Sequence, residues 1–256
     1  MRPSRVLKKL RAGKVVCSFK NNFADTGIIE VAAMAGFDCI WLCSEHIPRD
    51  WDVLRAQILA AKVHNVDVVV RTARGSYSDY IKPFELDATG IMVPHVTSAA
   101  DAANVVQMTR FHPIGQRAVD GGNADGAYCN LPLKEYIKQS NEQRFIILQI
   151  EDPEPLDELD EIAALDGIDM LLFGPGDFSH RIGAIGEWTH PKLIKARKRV
   201  ADAALKHGKF AGTVTDMSNL EELVDMGFSF LNIGGDVGAM NQYCQDRMAD
   251  FLNRTS

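Results

Sequence analysis

The stretch FIILQIED, residues 145–152, opens with six residues of which five are apolar, and it ends in two acidic residues. A short continuous apolar run of this kind is typical of a strand buried on both faces, as in a parallel sheet. Gln149, Glu151 and Asp152 place polar groups at the end of that strand. They belong either to a solvated loop or to a site built on a rigid strand end.

Seven further runs share this character and occupy residues 15–19, 39–43, 67–71, 90–94, 170–175, 210–214 and 230–235. The segments between many of them place apolar residues three and four positions apart, as a helix with one buried face requires. Strand–helix alternation predicts a parallel α/β fold, and eight strands favour a (β/α)8 TIM barrel. A doubly wound open sheet is the alternative, because a strand count from one sequence can err by one or two.

Residues 113–130 interrupt this alternation, since they are rich in Gly, Asn and Asp and lack apolar periodicity. They are predicted to form a long loop, and long loops in compact domains often carry function. No linker and no internal repeat divides the chain, so residues 1–256 are expected to form a single domain.

The composition limits the partners and the compartment. A net charge of −6 argues against a general nucleic-acid binder or an anionic-membrane binder. No run approaches the roughly 18 apolar residues of a membrane span. The five cysteines form no CxxC pair, and the basic amino terminus lacks the apolar core of a signal peptide. A cytoplasmic protein that acts on a small molecule is expected.

The predicted strands end in polar residues, and the carboxyl ends of TIM-barrel strands form the active-site face. We therefore expect a set of strand-end side chains to converge although they are far apart in the sequence: Glu45, His46, Arg71, His95, Gln149, Glu151 and Asp177.

The residue types indicate a chemistry for this face. Glu151 and Asp177, from neighbouring strands, suit a hard divalent cation such as Mg²⁺ or Mn²⁺. Arg71 can stabilise an anionic oxygen, and His46 can transfer a proton near neutral pH. Backbone N–H groups around Gly176 can approach a ligand closely. Each residue also has an ordinary explanation, namely a helix entrance for Glu151, a salt bridge for Arg71 and a loop hydrogen bond for His46.

Taken together, the motifs resemble those of the metal-dependent pyruvate aldolases of the HpcH/HpaI family. The resemblance covers about residues 5 to 240 and rests on FDCIWLCSEHIPRD (37–50), VVVR (68–71), GIMVPHV (90–96), ILQIED (147–152), LLFGPGDFSHRIG (171–183) and KHGKFAG (206–212). It implies that Glu151 and Asp177 bind the metal. It also implies that Gln149, together with the backbone at Gly176 and Asp177, binds the pyruvate part of the substrate.

The resemblance also assigns the catalytic groups. Arg71 matches the arginine that stabilises the enolate, and His46 matches the base. Glu85 matches a carboxylate that raises the basicity of this histidine, sometimes from a neighbouring subunit, and Asp87 is the less favoured alternative for this position. Cys43 departs from the family pattern, which often has Asp at this position, and a cysteine cannot orient an imidazolium as a carboxylate does. Proton transfer is therefore expected to be weaker, to be supported by Glu85, or to use His95 instead.

The implied enzyme is a metal-dependent aldolase that cleaves a 4-hydroxy-2-oxo acid into pyruvate and an aldehyde through a metal-stabilised enolate. No lysine is expected at the strand ends, so no Schiff base is expected. The resemblance implies a homo-oligomer, a trimer or a hexamer, with the C-terminal helix exchanged between subunits. The alternatives are a related enolate enzyme, such as a decarboxylase, a carbon–carbon synthase or a citrate-lyase-like enzyme, and a non-catalytic oxo-acid-binding protein.

Overall fold

A closed barrel of eight parallel strands dominates the computed structural model, which describes residues 1–255. Each strand pairs with the next one in the sequence, and the eighth pairs with the first. The prediction of a (β/α)8 TIM barrel is confirmed, and the open-sheet alternative is wrong. The strands are β1 Val16–Asn21, β2 Cys39–Cys43, β3 Asp67–Arg71, β4 Gly90–Val93, β5 Phe145–Ile150, β6 Met170–Phe173, β7 Phe210–Val214 and β8 Phe228–Gly235.

Eleven α-helices and one short 3₁₀ helix, Glu154–Glu158, surround the strands within the described residues. The α-helices are α1 Arg5–Arg11, α2 Thr26–Met34, α3 Trp51–Val63, α4 Tyr77–Glu85, α5 Ala99–Thr109, α6 Leu133–Gln143, α7 Leu159–Ala164, α8 Pro175–Arg181, α9 Pro191–Lys206, α10 Leu220–Asp225 and α11 Asp236–Thr255. Apolar periodicity did not predict α1, α4, α6, α8 or α11. In α4 a capping box of Ser76 and Asp79 fixes the start of a helix that contains Pro83. No helix within residues 1–255 combines the length and the apolar character needed to cross a bilayer.

Large apolar side chains fill the barrel interior and close its amino-terminal end. Trp41, Phe145 and Phe230 lie in one interior cluster with Leu7 and Leu10 of α1, which covers that end. A Cβ atom at position 90 would lie 2.1 Å from the ring of Phe145, so only glycine fits the start of β4. The interior is thus a packed core, and the polar strand ends lie at the opposite, carboxyl end.

The segment predicted as a long loop, residues 113–130, contains no helix or strand. It is nevertheless well anchored, because the buried guanidinium of Arg117 lies 2.9 Å from the Asp125 carboxylate. The N–H of Ala124 donates to the carbonyl oxygen of Glu85, the last residue of α4. This part of the loop therefore lies beside the carboxyl end of α4, which is the amino-terminal side of the barrel.

Candidate active site

Glu45 lies at the centre of the charged groups on the carboxyl face of the barrel. Its Oε2 atom is 3.0 Å from Nε of Arg71 and 3.5 Å from Nε2 of His46. Its Oε1 atom is 3.5 Å from Nε2 of His95. The sequence placed Glu45 after the second strand but gave it no role, whereas the structure makes it the carboxylate that joins β2, β3 and β4.

His95 connects this group to the end of β5. Its backbone N–H donates to Oε1 of Glu151 at 3.0 Å, and its Nδ1 lies 2.8 Å from Oδ2 of Asp152. The backbone of His95 is left-handed, with φ at 48°, which is uncommon for a residue other than glycine. On the other side of the carboxylate, Nε2 of Gln149 donates to Oε2 of Glu151. Arg71 and Glu151, two of the residues predicted to converge, are therefore linked through Glu45 and His95.

Glu151 is an unusual carboxylate because only 1% of its surface is exposed. Its pKa is raised to about 7, mainly by burial; the charges of Asp177 and Glu45 add to the rise, and the His95 N–H and ring oppose it. For His95, burial lowers the pKa, but the hydrogen bond to Asp152 and the charges of Glu151 and Glu45 outweigh it and raise the value overall.

The donor set suits a divalent cation. Ligand atoms of Glu45, His95 and Glu151 all lie within 4.8 Å of one another. Asp177, in the first turn of α8, is close enough to Glu151 for its charge to influence that carboxyl, but it is outside this group of three. The buried Oε1 atom of Gln149 has no hydrogen-bond partner in the described chain. Carboxylate and amide oxygens of this kind are the ligands of Mg²⁺ and Mn²⁺. The predicted pairing of Glu151 with Asp177 stays a prediction.

The turn after β6 approaches Glu151 closely. A Cβ atom at position 174 would lie 2.6 Å from Oε2 of Glu151 and 2.9 Å from Nε2 of Gln149, so Gly174 is sterically required. At Gly176 a Cβ atom would meet no atom within 4 Å, and the residue is exposed. The backbone at Gly176 and Asp177 is thus open to a ligand, while Gly174 allows the turn to pack against the carboxylate.

Arg71 is 4% exposed and is held on three sides. Besides its ion pair with Glu45, its guanidinium donates to Sγ of Cys43 at 3.2 Å and lies 5.2 Å from the centre of the Trp41 ring. The N–H of His46 also donates to Sγ of Cys43 at 3.4 Å. Burial raises the pKa of the Cys43 thiol, but the charge of Arg71 and these donors outweigh it and lower the value overall. The sulfur of Cys43 thus accepts hydrogen bonds from Arg71 and from the N–H of His46. A carboxylate at this position could accept the same two hydrogen bonds.

One expectation about the strand ends is wrong. The structure extends β1 to Asn21, two residues beyond the predicted strand, and this extension includes Lys20. The ammonium group of Lys20 lies 5.5 Å from the centre of the Trp41 ring, which packs in the barrel interior. Burial lowers its pKa, and the charge of Arg71 lowers it further. A half-buried lysine therefore lies near the site.

His46 is more exposed than the resemblance implies, and Glu85 lies further from the cluster around Glu45. The side chain of His46 is 58% exposed and contacts Glu45. Glu85 ends α4, and the charges that affect it are those of Arg117, Asp125 and Asp120. Within the chain Glu85 is not brought to the cluster around Glu45. Its role as a support for the base stays a prediction that needs a second subunit.

Known proteins share both the sequence and the fold. The model of the HpcH/HpaI aldolase/citrate lyase family matches residues 21–242. The 5-keto-4-deoxy-D-glucarate aldolase of Klebsiella pneumoniae is 31% identical over 88% of this chain and 87% of its own. The hydroxypyruvate/pyruvate aldolase of Pseudomonas aeruginosa is 31% identical over 93% and 88%. The crystal structure of an HpcH/HpaI aldolase from Desulfitobacterium hafniense superposes with a TM-score of 0.91 at 29% identity, covering 96% of each chain. The chain therefore belongs to the HpcH/HpaI aldolase/citrate lyase family and is an aldolase, a lyase that cleaves a carbon–carbon bond.

Proposed function

We propose that the chain is a metal-dependent pyruvate aldolase that cleaves a 4-hydroxy-2-oxo acid into pyruvate and an aldehyde. The observation that carries this proposal is the meeting of a buried carboxylate, Glu151, with the Arg71–Glu45 ion pair at the carboxyl face of the barrel. The site thus combines donors for a cation with a fixed guanidinium for an oxyanion. The related aldolases named above support the same reaction class.

Glu151 and Asp177 are the residues that would hold Mg²⁺ or Mn²⁺, with Glu45 and His95 close by as further donors. The cation, when bound, supplies a Lewis acid for the 2-oxo and carboxylate oxygens of the substrate. Deprotonation of Glu151 accompanies binding, because a carboxylic acid is a poor ligand.

The protein's own groups orient the substrate. The unpartnered Oε1 of Gln149 and the open backbone at Gly176 and Asp177 face the pyruvate part. Arg71 stabilises the negative oxygen that develops on this part as the carbon–carbon bond breaks. Its position is fixed by Glu45 and by the sulfur of Cys43, so little reorganisation is needed during the reaction.

His46 accepts the proton of the 4-hydroxyl group, directly or through a water molecule. Glu45, 3.5 Å from its ring, is the carboxylate that contacts this histidine within the chain. This contact supplies only part of what a carboxylate at position 43 would supply. His95 has the firmer hydrogen bonds, but its Nδ1 is engaged with Asp152, so His46 is the freer base.

The assembly is proposed to be a homo-oligomer, a trimer or a hexamer, that exchanges α11 between subunits. Among the twenty residues of α11, Asp236 is buried, while Met240, Tyr243, Met248 and Phe251 are all more than half exposed. A neighbouring subunit would cover this apolar face and could bring Glu85 towards a partner's His46. A reducing cytoplasm is proposed, since all five cysteines are free.

Pyruvate enolisation tests this function directly. Deuterium exchange into the pyruvate methyl group would be followed by NMR with Mg²⁺ or Mn²⁺ added and then removed by a chelator. We expect exchange that requires the metal and collapses in Glu151→Ala and Arg71→Ala, whereas Glu161→Ala on the exposed side of α7 keeps it. Absence of exchange in the wild type, despite measurable metal binding, would contradict the proposal.

A further inference from the structure

A cavity of about 480 Å³ opens between α9 and the segment 214–222 that follows β7. Its wall includes Pro175 at the start of α8, Trp188 before α9, and Arg197 within α9. None of Glu45, His95 and Glu151 contributes to it. The cavity lies beside the active site on the carboxyl face of the barrel, next to the ends of β6 and β7, and shares none of these three residues with it.

Arg197 is the unusual feature of this cavity. It is 7% exposed, and it makes no hydrogen bond and no ion pair with any residue of the described chain. The charge of Glu222 acts on it, but the two side chains are too far apart to form a salt bridge. A buried guanidinium without a partner is energetically costly, and buried charges in proteins are normally paired. An anion that enters the cavity can pair with this guanidinium.

The outer wall is polar and partly acidic. Asp216 and Glu222 are exposed at the rim, and Asp216 already accepts a hydrogen bond from the N–H of Ser218 at 2.7 Å. These two carboxylates accept hydrogen bonds from hydroxyl groups. The exposed indole ring of Trp188 offers an apolar surface for a short carbon chain.

We propose that this cavity binds a small hydroxy acid, with its carboxylate on Arg197 and its hydroxyl groups towards Asp216 and Glu222. The guanidinium can donate two parallel hydrogen bonds to one carboxylate. The ligand also packs against Pro175, the first residue of the helix that carries Asp177. This site is independent of the substrate that the active site cleaves.

Isothermal titration calorimetry with racemic malate tests the proposal. The measurements use chelator-treated protein carrying Glu151→Gln, so that organic acids cannot bind through a metal at the active site. Because a charge-assisted pair is lost, Arg197→Met should weaken malate binding at least about tenfold. Arg197→Lys should weaken it less. Arg199→Met is the matched control, since Arg199 is two residues further along α9 and contacts Asp157 instead.

Succinate and inorganic phosphate show which chemical groups of malate contribute to binding. Succinate, which lacks the hydroxyl group, and inorganic phosphate, which has no carbon chain to pack on Trp188, should both bind more weakly than malate. Within the Glu151→Gln background, equal malate affinity with and without Arg197→Met would overturn the proposal, as would phosphate binding that exceeds malate binding. No malate binding at millimolar concentrations would overturn it too. Because the metal is absent throughout, these results do not depend on whether the chain cleaves oxo acids.

Thermal unfolding without ligand provides an independent readout. Arg197→Met keeps the volume of the side chain and removes a buried unpaired charge, so the variant should unfold at the wild-type temperature or above it. Malate should raise the unfolding temperature of the wild type and leave that of Arg197→Met unchanged. A variant that unfolds well below the wild type would show that the protein already satisfies the guanidinium, and the inference would fail.

Discussion

Replacing Glu151 with glutamine should stabilise the metal-free protein at pH 8. Burial raises the pKa of Glu151 from 4.5 to about 7, a difference of about 2.5 units. At about 1.4 kcal/mol for each unit, the ionised carboxylate destabilises the folded state by about 3 kcal/mol above pH 7. An amide cannot accept from both Gln149 and the His95 N–H, which costs about 1 kcal/mol. The net gain in the free energy of unfolding is therefore about 2 kcal/mol.

The pH dependence identifies the cause of this gain. Since the folded-state pKa is raised, the wild-type carboxyl contributes stability that is full below about pH 4.5 and is lost as the pH rises through about 7. The advantage of Glu151→Gln should accordingly disappear at pH 4.5. Chemical denaturation with chelator present, at pH 8 and at pH 4.5, gives both values. Glu161→Gln, an exposed carboxyl on α7, is the control and should change little at either pH.

A metal ion should reverse the order of stability at pH 8. Mg²⁺ or Mn²⁺ binds the folded wild type and stabilises it, while Glu151→Gln gains little. The reasoning fails if the variant is no more stable than the wild type at pH 8 without metal. It also fails if the difference between the two proteins is the same at both pH values, because a carboxylate burial penalty must follow ionisation.

Three further substitutions address the reacting groups. Arg71→Met should lower the rate of pyruvate deuterium exchange by about 10²–10³-fold with metal still bound, because it removes the donor for the developing oxyanion; an unchanged rate would contradict this role. Cys43→Asp should raise the rate of carbon–carbon cleavage about tenfold and leave deuterium exchange unaltered, since a carboxylate there orients His46 better than sulfur does; equal cleavage rates would show that Glu45 already suffices. Borohydride added with pyruvate should leave no adduct on Lys20 by mass spectrometry, and Lys20→Met should keep exchange; an adduct would indicate Schiff-base chemistry.

The strand ends were predictable because continuous apolar runs, such as residues 145–150, mark strands buried on both faces. The position of Arg71 and Glu151 on one face follows from strand direction alone. Lys20 was not predicted because β1 continues through a polar lysine and asparagine, whose burial depends on the adjacent Trp41. The central position of Glu45 was also not predictable, since it depends on how the β2–α3 loop turns back over Arg71.

Three other features could not be predicted from the sequence because they depend on how distant segments pack in the fold. The unpartnered state of Arg197 depends on the distance between α9 and α10, which no local pattern encodes. The loop at 113–130 was identified from its composition, but its contact with the end of α4 required the fold. Glu85 was assigned by similarity, and its distance from the cluster follows from the direction of α4, which runs away from the carboxyl face.

The most direct test of metal-dependent aldol cleavage is the release of pyruvate from 4-hydroxy-2-oxo acids, measured with a lactate dehydrogenase coupled assay. We expect cleavage that requires Mg²⁺ or Mn²⁺, stops when a chelator removes the metal, and is lost in Glu151→Gln. Cleavage that persists in chelator, or that survives in Glu151→Gln, would contradict a metal-dependent aldolase built on this carboxylate.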